Sequence, residues 1–97
     1  MKIIEINTSN INKESIKKLL SNKICIIGVF SKLCIHCKNM KPQWKLLKKK
    51  LKKFNCNALL FEIDSDQLNH IGYDSLTKNV NGLPSIMVFK KGKLLKE

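Results

Sequence analysis

The feature that most constrains this chain is a pair of cysteines at the junction between an apolar run and a segment with helical periodicity. The run from Lys23 to Phe30 is almost continuously apolar, which is typical of a strand covered on both faces of a sheet. Beyond Cys34 and Cys37, apolar residues recur at steps of three and four, at Met40, Trp44, Leu47, Leu51 and Phe54. This spacing predicts a long amphipathic helix with the two thiols one turn apart at its start.

Two cysteines separated by two residues at a helix N-terminus are suited to disulfide exchange. The unpaired N–H groups and the helix dipole stabilise a thiolate on Cys34, and Cys37 is close enough to form a disulfide with it. Cys34 is therefore predicted to attack a substrate and Cys37 to resolve the mixed disulfide. A partly protonated His36 between them would stabilise the thiolate further and make the Cys34–Cys37 disulfide a stronger oxidant.

The rest of the chain alternates between strand and helix patterns. The predicted elements are an edge strand over Lys2–Ile6, a helix capped by Asn10 or Asn12 and running to about Leu20, a third strand over Ala58–Asp64, a helical or irregular crossover over Ser65–Val80, and a hairpin formed by Ser85–Phe89 and Leu94–Glu97. With the central strand and long helix, the order is β-α-β-α-β-α-β-β. No repeat or linker divides the chain, so residues 1–97 are predicted to form one domain.

Composition narrows the function classes. The net charge of +12 invites a nucleic-acid hypothesis, but all 19 basic residues are Lys and none is Arg, and Arg is favoured for bidentate phosphate and base recognition. Nucleic acid is therefore not expected as the main partner. The lysines of the long helix are expected to form a solvated face. The longest apolar run, from Ile24 to Phe30, is far shorter than the roughly 20 residues that span a bilayer.

The cysteines and histidines leave one metal alternative open. A zinc site could use Cys34, Cys37 and His36, but a closed site usually needs four ligands and the chain has no second Cys-x-x-Cys or His pair. The expectation is therefore that no metal or other cofactor is required. Cys25 is expected to be a buried small hydrophobe, and a Cys25–Cys56 bridge is an unfavoured alternative. His70 is expected to be an exposed polar residue.

Two segments carry a resemblance to a known family. The stretch from Phe30 to Trp44, with its Cys-x-His-Cys-Lys core, helix proline and following aromatic, resembles the active-site segment of the thioredoxin superfamily, most of all a catalytic domain of protein disulfide isomerase. The stretch from Gly82 to Gly92 resembles the family's cis-proline loop and hairpin. The resemblance implies an α/β thioredoxin fold with a central mixed sheet flanked by helices. It also implies a thiol-disulfide oxidoreductase with isomerase or oxidase leaning.

The resemblance also implies how substrates are held. Pro84 matches the cis-proline, which would place the Leu83 backbone opposite the dithiol, where an extended substrate segment could pair as an added strand. Leu33 and Ile35 beside Cys34 are expected to complete the substrate-binding surface. The implied partners are proteins with thiols or disulfides and a redox partner, namely a reductase, glutathione or an oxidase. The chain is expected to act as a monomer.

Several positions depart from the family pattern. Leu33 stands where a tryptophan is usual, Gly28 where the family has a buried acid, and Leu60 where the lysine partner of that acid is expected. Turnover is therefore expected to be slow or to use water or another group, with Glu62 as a candidate. The alternative function is a redox-weak module that holds client peptides at the cis-proline cleft. The sequence also stops at Glu97 within the last predicted strand, so the family's final helix is expected to be missing from this chain.

The location of the protein is constrained only by what the sequence shows at its start. Glu5 and Asn7 interrupt any apolar core of a secretory signal. The expectation is an intracellular protein, cytoplasmic or packaged in a virus particle. The endoplasmic reticulum is an alternative if the chain has been trimmed. A composition rich in Lys, Ile and Asn fits an AT-rich genome, such as that of a large DNA virus or a protist.

Overall fold

The computed structural model describes residues 1–8 and 11–96, and five strands form one mixed sheet in the order β1-β3-β2-β4-β5. The strands are β1 (Lys2–Ile6), β2 (Ile24–Phe30), β3 (Leu59–Asp64), β4 (Ser85–Lys90) and β5 (Lys93–Lys96). β1, β3 and β2 are parallel, whereas β4 and β5 add antiparallel strands. The apolar β2 lies at the centre and β1 at an edge, as predicted. The last predicted strand extends to Glu97, which lies outside the described residues.

Helices flank the sheet and set the position of the two cysteines. They are α1 (Lys13–Asn22), α2 (Ile35–Lys52), a 3-10 turn (Ser65–Gln67), α3 (Leu68–Ile71) and α4 (Asp74–Thr77). Asn12 caps α1, because its side chain accepts a hydrogen bond from the Ser15 N–H at 3.1 Å. Asn10, the other predicted cap, lies outside the described residues. The crossover between β3 and β4 consists of the 3-10 turn and the two short helices α3 and α4, in agreement with the helical or irregular crossover that the weak periodicity predicts.

The long helix α2 confirms the strongest periodic pattern in the sequence and corrects its end. It begins at Ile35, directly after Cys34, as predicted, and continues through Pro42 to Lys52. Phe54 was expected on the buried face, but the helix ends before it, and its side chain is 58% exposed. The prediction for Phe54 is wrong because the chain turns after Lys52, where the Phe54 N–H bonds to the Leu51 carbonyl.

Two apolar cores lie on opposite faces of the sheet. The larger core packs α1 and the crossover against one face. The smaller core packs α2 against the other and consists of Phe30, Cys37, Trp44 and Leu60 with their half-buried neighbours. Because Cys37 belongs to this second core, the packing beneath α2 determines the environment of the dithiol.

The remaining cysteines, Cys25 and Cys56, and His70 lie where the sequence predicts. Cys25 is fully buried in β2, as predicted, and burial raises the pKa of its thiol to about 11. Cys56 is exposed, and no disulfide joins it to Cys25. His70 is exposed as expected.

Within the part of the chain that the structure describes, no helix is both long and apolar enough to cross a membrane.

Candidate active site

Cys34 is the N-cap residue of α2, and its sulfur lies against the first helical amides. Cys34 Sγ accepts a hydrogen bond from the Cys37 N–H at 3.2 Å. Both cysteines are free thiols that form no disulfide. The pKa of Cys34 is lowered mainly because the Cys37 thiol donates a hydrogen bond to the Cys34 sulfur. Desolvation acts in the opposite direction, whereas the backbone amides of Cys37 and His36 lower the pKa further. Cys34 is therefore the sulfur whose thiolate the helix terminus favours.

Cys37 lies one turn inside the helix in a very different environment. Its side chain is 1% exposed. Burial raises its pKa, and the hydrogen bond to Cys34 raises it further. The Ser31 N–H, which lies 3.5 Å from Cys37 Sγ, and the charge of Lys41 oppose that rise. The two sulfurs of one pair thus differ in accessibility and in proton affinity.

An apolar surface surrounds the accessible sulfur. Leu33 and Ile35 on either side of Cys34 are 96% and 69% exposed. Across the cleft, the Cys34 thiol contacts the Leu83 carbonyl at 3.6 Å, and the Leu83–Pro84 peptide bond is cis. The structure therefore brings together the four residues that the resemblance assigned to substrate binding.

His36 lies two residues after Cys34, in the first turn of α2. Its side chain is exposed, and the group that it directs toward Cys34 is its backbone amide. An effect of the imidazole on the thiolate therefore remains a prediction.

The space beneath the dithiol is filled by an indole ring. A Cβ on Gly28 would lie 2.6 Å from Trp44 Cη2 and 2.7 Å from Phe30 Cε2. Trp44 is 1% exposed, and its ring centroid is 5.0 Å from that of Phe30. Position 28 therefore has no room for the family's acid, since the tryptophan occupies the volume that such a side chain would need.

An acid does stand on the neighbouring strand. Glu62 pairs in register with Gly28, and its Oε1 accepts hydrogen bonds from Trp44 Nε1 at 2.6 Å and Lys48 Nζ at 2.8 Å. Lys48 also contacts Glu5 at 2.9 Å. Burial opposes ionisation of Glu62, but the hydrogen bonds from Lys48 and Trp44 outweigh it and lower the pKa of the carboxyl. Among the described residues, Glu62 bonds to these partners and to neither cysteine.

Two lysines of α2 depart from the solvated face that the sequence predicts. Lys48 is half-buried because it bridges Glu62 and Glu5. Lys41 is half-buried with its ammonium 5.2 Å from the centroid of the Phe30 ring. Sequence reasoning missed both, and Lys41 also acts on Cys37. The available signal was the spacing, because residue 41 lies four after residue 37 and so one turn along the same face.

The metal alternative has no ligand set in this part of the molecule. Across residues 1–8 and 11–96, no three His, Cys, Asp or Glu side chains come together as a metal site would require. His36 and the two cysteines share a helix turn, but the exposed imidazole does not join the sulfurs in such a group.

Comparisons with known proteins agree with this geometry. The sequence model of the family described as Thioredoxin matches residues 2–97. Protein disulfide-isomerase A6 of Mesocricetus auratus is 29% identical over 91 residues, which cover 94% of this chain. This chain spans only 19% of that protein.

Solved structures show the same fold. A reduced thioredoxin pre-protein of Schistosoma mansoni superposes with a TM-score of 0.66 at 23% identity, covering 98% of this chain and 82% of that one. The first thioredoxin domain of mouse protein disulfide-isomerase A4 superposes with a TM-score of 0.64 at 20% identity, covering 96% and 61%.

Proposed function

This chain belongs to the thioredoxin family, and on that basis we propose that it catalyses thiol-disulfide exchange on protein substrates. The observation that carries the proposal is the asymmetry of the dithiol. Cys34 caps α2 with a lowered pKa, whereas Cys37 is buried with a raised one. A partly accessible nucleophile beside a buried second thiol is the arrangement that a two-step exchange requires.

The proposed reaction begins at Cys34. Its thiolate attacks one sulfur of a substrate disulfide, which forms a Cys34–substrate bond and releases the other substrate sulfur as a thiolate that takes up a proton. Cys37 then loses its proton and attacks the Cys34 sulfur. This forms the Cys34–Cys37 disulfide and releases the second substrate thiolate. The substrate is reduced by two electrons and the enzyme is oxidised; the reverse sequence oxidises a substrate dithiol. A reductase, glutathione or an oxidase would restore the starting form.

The surface around Cys34 supports an extended protein segment as the substrate. Leu33 and Ile35 offer exposed apolar side chains, and the contact between Cys34 and the Leu83 carbonyl places main-chain hydrogen-bonding groups beside the reacting sulfur. A substrate strand paired with the backbone at Leu83 and packed against Pro84 would present its own sulfur to Cys34.

The direction of the reaction is the finer part of the proposal. The Cys-x-His-Cys sequence leans toward oxidase or isomerase activity. We therefore expect a reduction potential nearer the isomerase value of about −180 mV than the thioredoxin value of about −270 mV. A redox titration against glutathione that gave the thioredoxin value would overturn this lean while leaving thiol-disulfide exchange intact.

Cysteine variants test the core of the proposal. Cys34→Ser should abolish reduction of insulin and reactivation of scrambled ribonuclease, whereas Cys37→Ser should accumulate a mixed disulfide with substrate. Cys56→Ser is the matched control, because Cys56 is exposed and outside the site, and it should behave as wild type. Unchanged turnover in Cys34→Ser would refute the mechanism.

A second function is favoured by one specific observation. Position 28 has no room for an acid, and Leu60 supplies no lysine, so a module that binds client peptides with little redox activity is the competing proposal. It predicts that the double variant Cys34→Ser/Cys37→Ser binds an unfolded client as tightly as wild type. Loss of binding together with the thiols would argue against it.

A further inference from the structure

Lys41 is set apart from the other lysines of α2 by its place beside the dithiol. It lies four residues after Cys37, so the two side chains leave the same face of the helix one turn apart. Its neighbours Lys45 and Lys49 are exposed, whereas Lys41 is half-buried. Partial burial removes water from the Lys41 ammonium, and a favourable contact within the protein compensates for that loss.

The partner in that contact is an aromatic ring in the same core cluster as the buried thiol. The Lys41 ammonium lies 5.2 Å from the centroid of Phe30, within the range of an attractive cation–π contact. Phe30 is 4% exposed and belongs to the same packed cluster as Cys37 and Trp44. The ring therefore fixes the cation at the edge of the core that contains Cys37.

A cleft of about 150 Å³ opens on this side of the dithiol, at the carboxyl ends of β2 and β3. Lys41, Phe30, Ser31 and Glu62 contribute to its lining, and the Ser31 amide is the donor that contacts Cys37 Sγ. A polar cleft of this size holds several water molecules. Cys37 itself does not line the cleft, but Ser31 and Lys41, which adjoin it, do.

The charged groups that line the cleft are two lysines, Lys32 and Lys41, and two carboxylates, and the charge of Lys41 contributes to the lowered pKa of Glu62. Lys32 extends from the loop after β2, and Glu62 and Asp64 extend from β3, while Cys34 faces Cys37 from the helix cap. Glu62 is already paired with Lys48. Among the described residues, no carboxylate lies within ion-pair distance of Lys41.

We propose that Lys41 is a positioning residue for the resolving step, whose ammonium favours the thiolate of Cys37 where the family's buried acid is missing. In this step the Cys37 thiol releases its proton to solvent water. The thiolate attacks the Cys34 sulfur of the mixed disulfide, the Cys34–Cys37 bond forms, and the substrate leaves as a thiolate. Unlike an acid, Lys41 accepts no proton; it lowers the energy of the negative charge that the proton leaves behind. The inference rests on the proposed exchange activity.

The charge effect is measured most directly on Cys37 alone. In a Cys34→Ser/Cys56→Ser background, where the buried Cys25 with its pKa of about 11 is the other remaining thiol, the thiolate of Cys37 is followed by ultraviolet absorbance as a function of pH. With Lys41→Met we expect the pKa of Cys37 to rise, because the cation is lost. Lys41→Arg retains the charge and should leave the titration as in the parent. The control Lys45→Met removes an exposed lysine one turn further on and should also change nothing.

A kinetic measurement connects the titration to the reaction. With both cysteines present, resolution of a preformed mixed disulfide should slow by about two- to tenfold at neutral pH in Lys41→Met. The difference should vanish in alkali, where Cys37 ionises without help. Lys41→Gln provides a second neutral variant if Lys41→Met proves unstable in a thermal unfolding control.

The outcomes separate this inference from the proposed function. An unchanged Cys37 titration in a folded Lys41→Met or Lys41→Gln variant overturns the role of Lys41, as does an equal effect of Lys41→Arg. If the wild-type protein shows no disulfide exchange, the proposed function fails. The Cys37 titration nevertheless reports on the Lys41 charge by itself, so the two failures are distinguishable.

Discussion

Replacing Gly28 by Ala tests whether the indole beneath the active site excludes a side chain. The added Cβ would lie 2.6 and 2.8 Å from two atoms of Trp44 and 2.7 Å from Phe30, whereas carbon atoms in contact are about 3.5 to 4.0 Å apart. Both rings are almost fully buried, and the Trp44 indole is also held by Glu62. Neither ring can move aside without disturbing the core.

The expected cost follows from two opposing effects. Overpacking of a core typically costs about 1–3 kcal/mol, and two rings in contact place this site at the upper end. Ala in a strand regains roughly 0.5–1 kcal/mol relative to Gly. The net loss in the free energy of unfolding is therefore about 2 kcal/mol, which lowers the melting temperature by roughly 8–16 °C for a domain of this size.

The assay is urea unfolding monitored by the fluorescence of Trp44, the single tryptophan of the chain. Gly82→Ala is the matched control, because a Cβ there meets nothing within 4 Å, and its stability should stay within about 0.5 kcal/mol of wild type. In a Trp44→Leu background, where far-ultraviolet circular dichroism replaces the lost fluorescence, the cost of Gly28→Ala should shrink, since the clashing ring is gone. A Gly28→Ala protein as stable as wild type would refute the steric explanation of the missing acid.

Three further predictions concern the surroundings of the site. The hydrogen bonds of Glu62 lower its pKa in the folded protein, so the stability that its carboxylate contributes to the fold is present above the unfolded pKa of about 4.3 and is lost as pH falls through the lower folded pKa. Glu62→Gln should remove that part of the pH dependence of urea unfolding. The same pH dependence in the variant and the wild type would contradict this prediction. The exposed Cys56 should react with iodoacetamide in the native protein, whereas Cys25, which is buried and has a pKa of about 11, should react only on unfolding. Equal labelling of the two cysteines in the native protein, measured by mass spectrometry, would contradict the prediction. Asn12→Ala should lower the free energy of unfolding by about 1 kcal/mol and Asn12→Ser by little, as measured in urea, because the cap bond of α1 is lost in the first and retained in the second.

Much of the fold and the place of the candidate dithiol could be predicted from local patterns. The continuous apolar run predicts the central strand, and three- and four-residue spacing predicts α2, because both depend on neighbours within the same segment. The position of Cys34 and Cys37 at the start of that helix also follows from the local sequence. Phe54 marks the limit of such reasoning, since its spacing continues the pattern beyond the point where the chain turns.

The sequence by itself determined which residues could do the chemistry, and only the tertiary structure decided what surrounds them. Gly28, Trp44 and Glu62 are far apart in the chain, and their contact depends on strand register and on the packing of α2 over β2 and β3. In the sequence Lys41 differs from the other lysines of the helix only by lying four residues after Cys37; its contact with the Phe30 ring appears only in the tertiary structure. Burial, steric exclusion and the proton affinity of a thiol depend on neighbours in space, which periodicity along the chain does not specify.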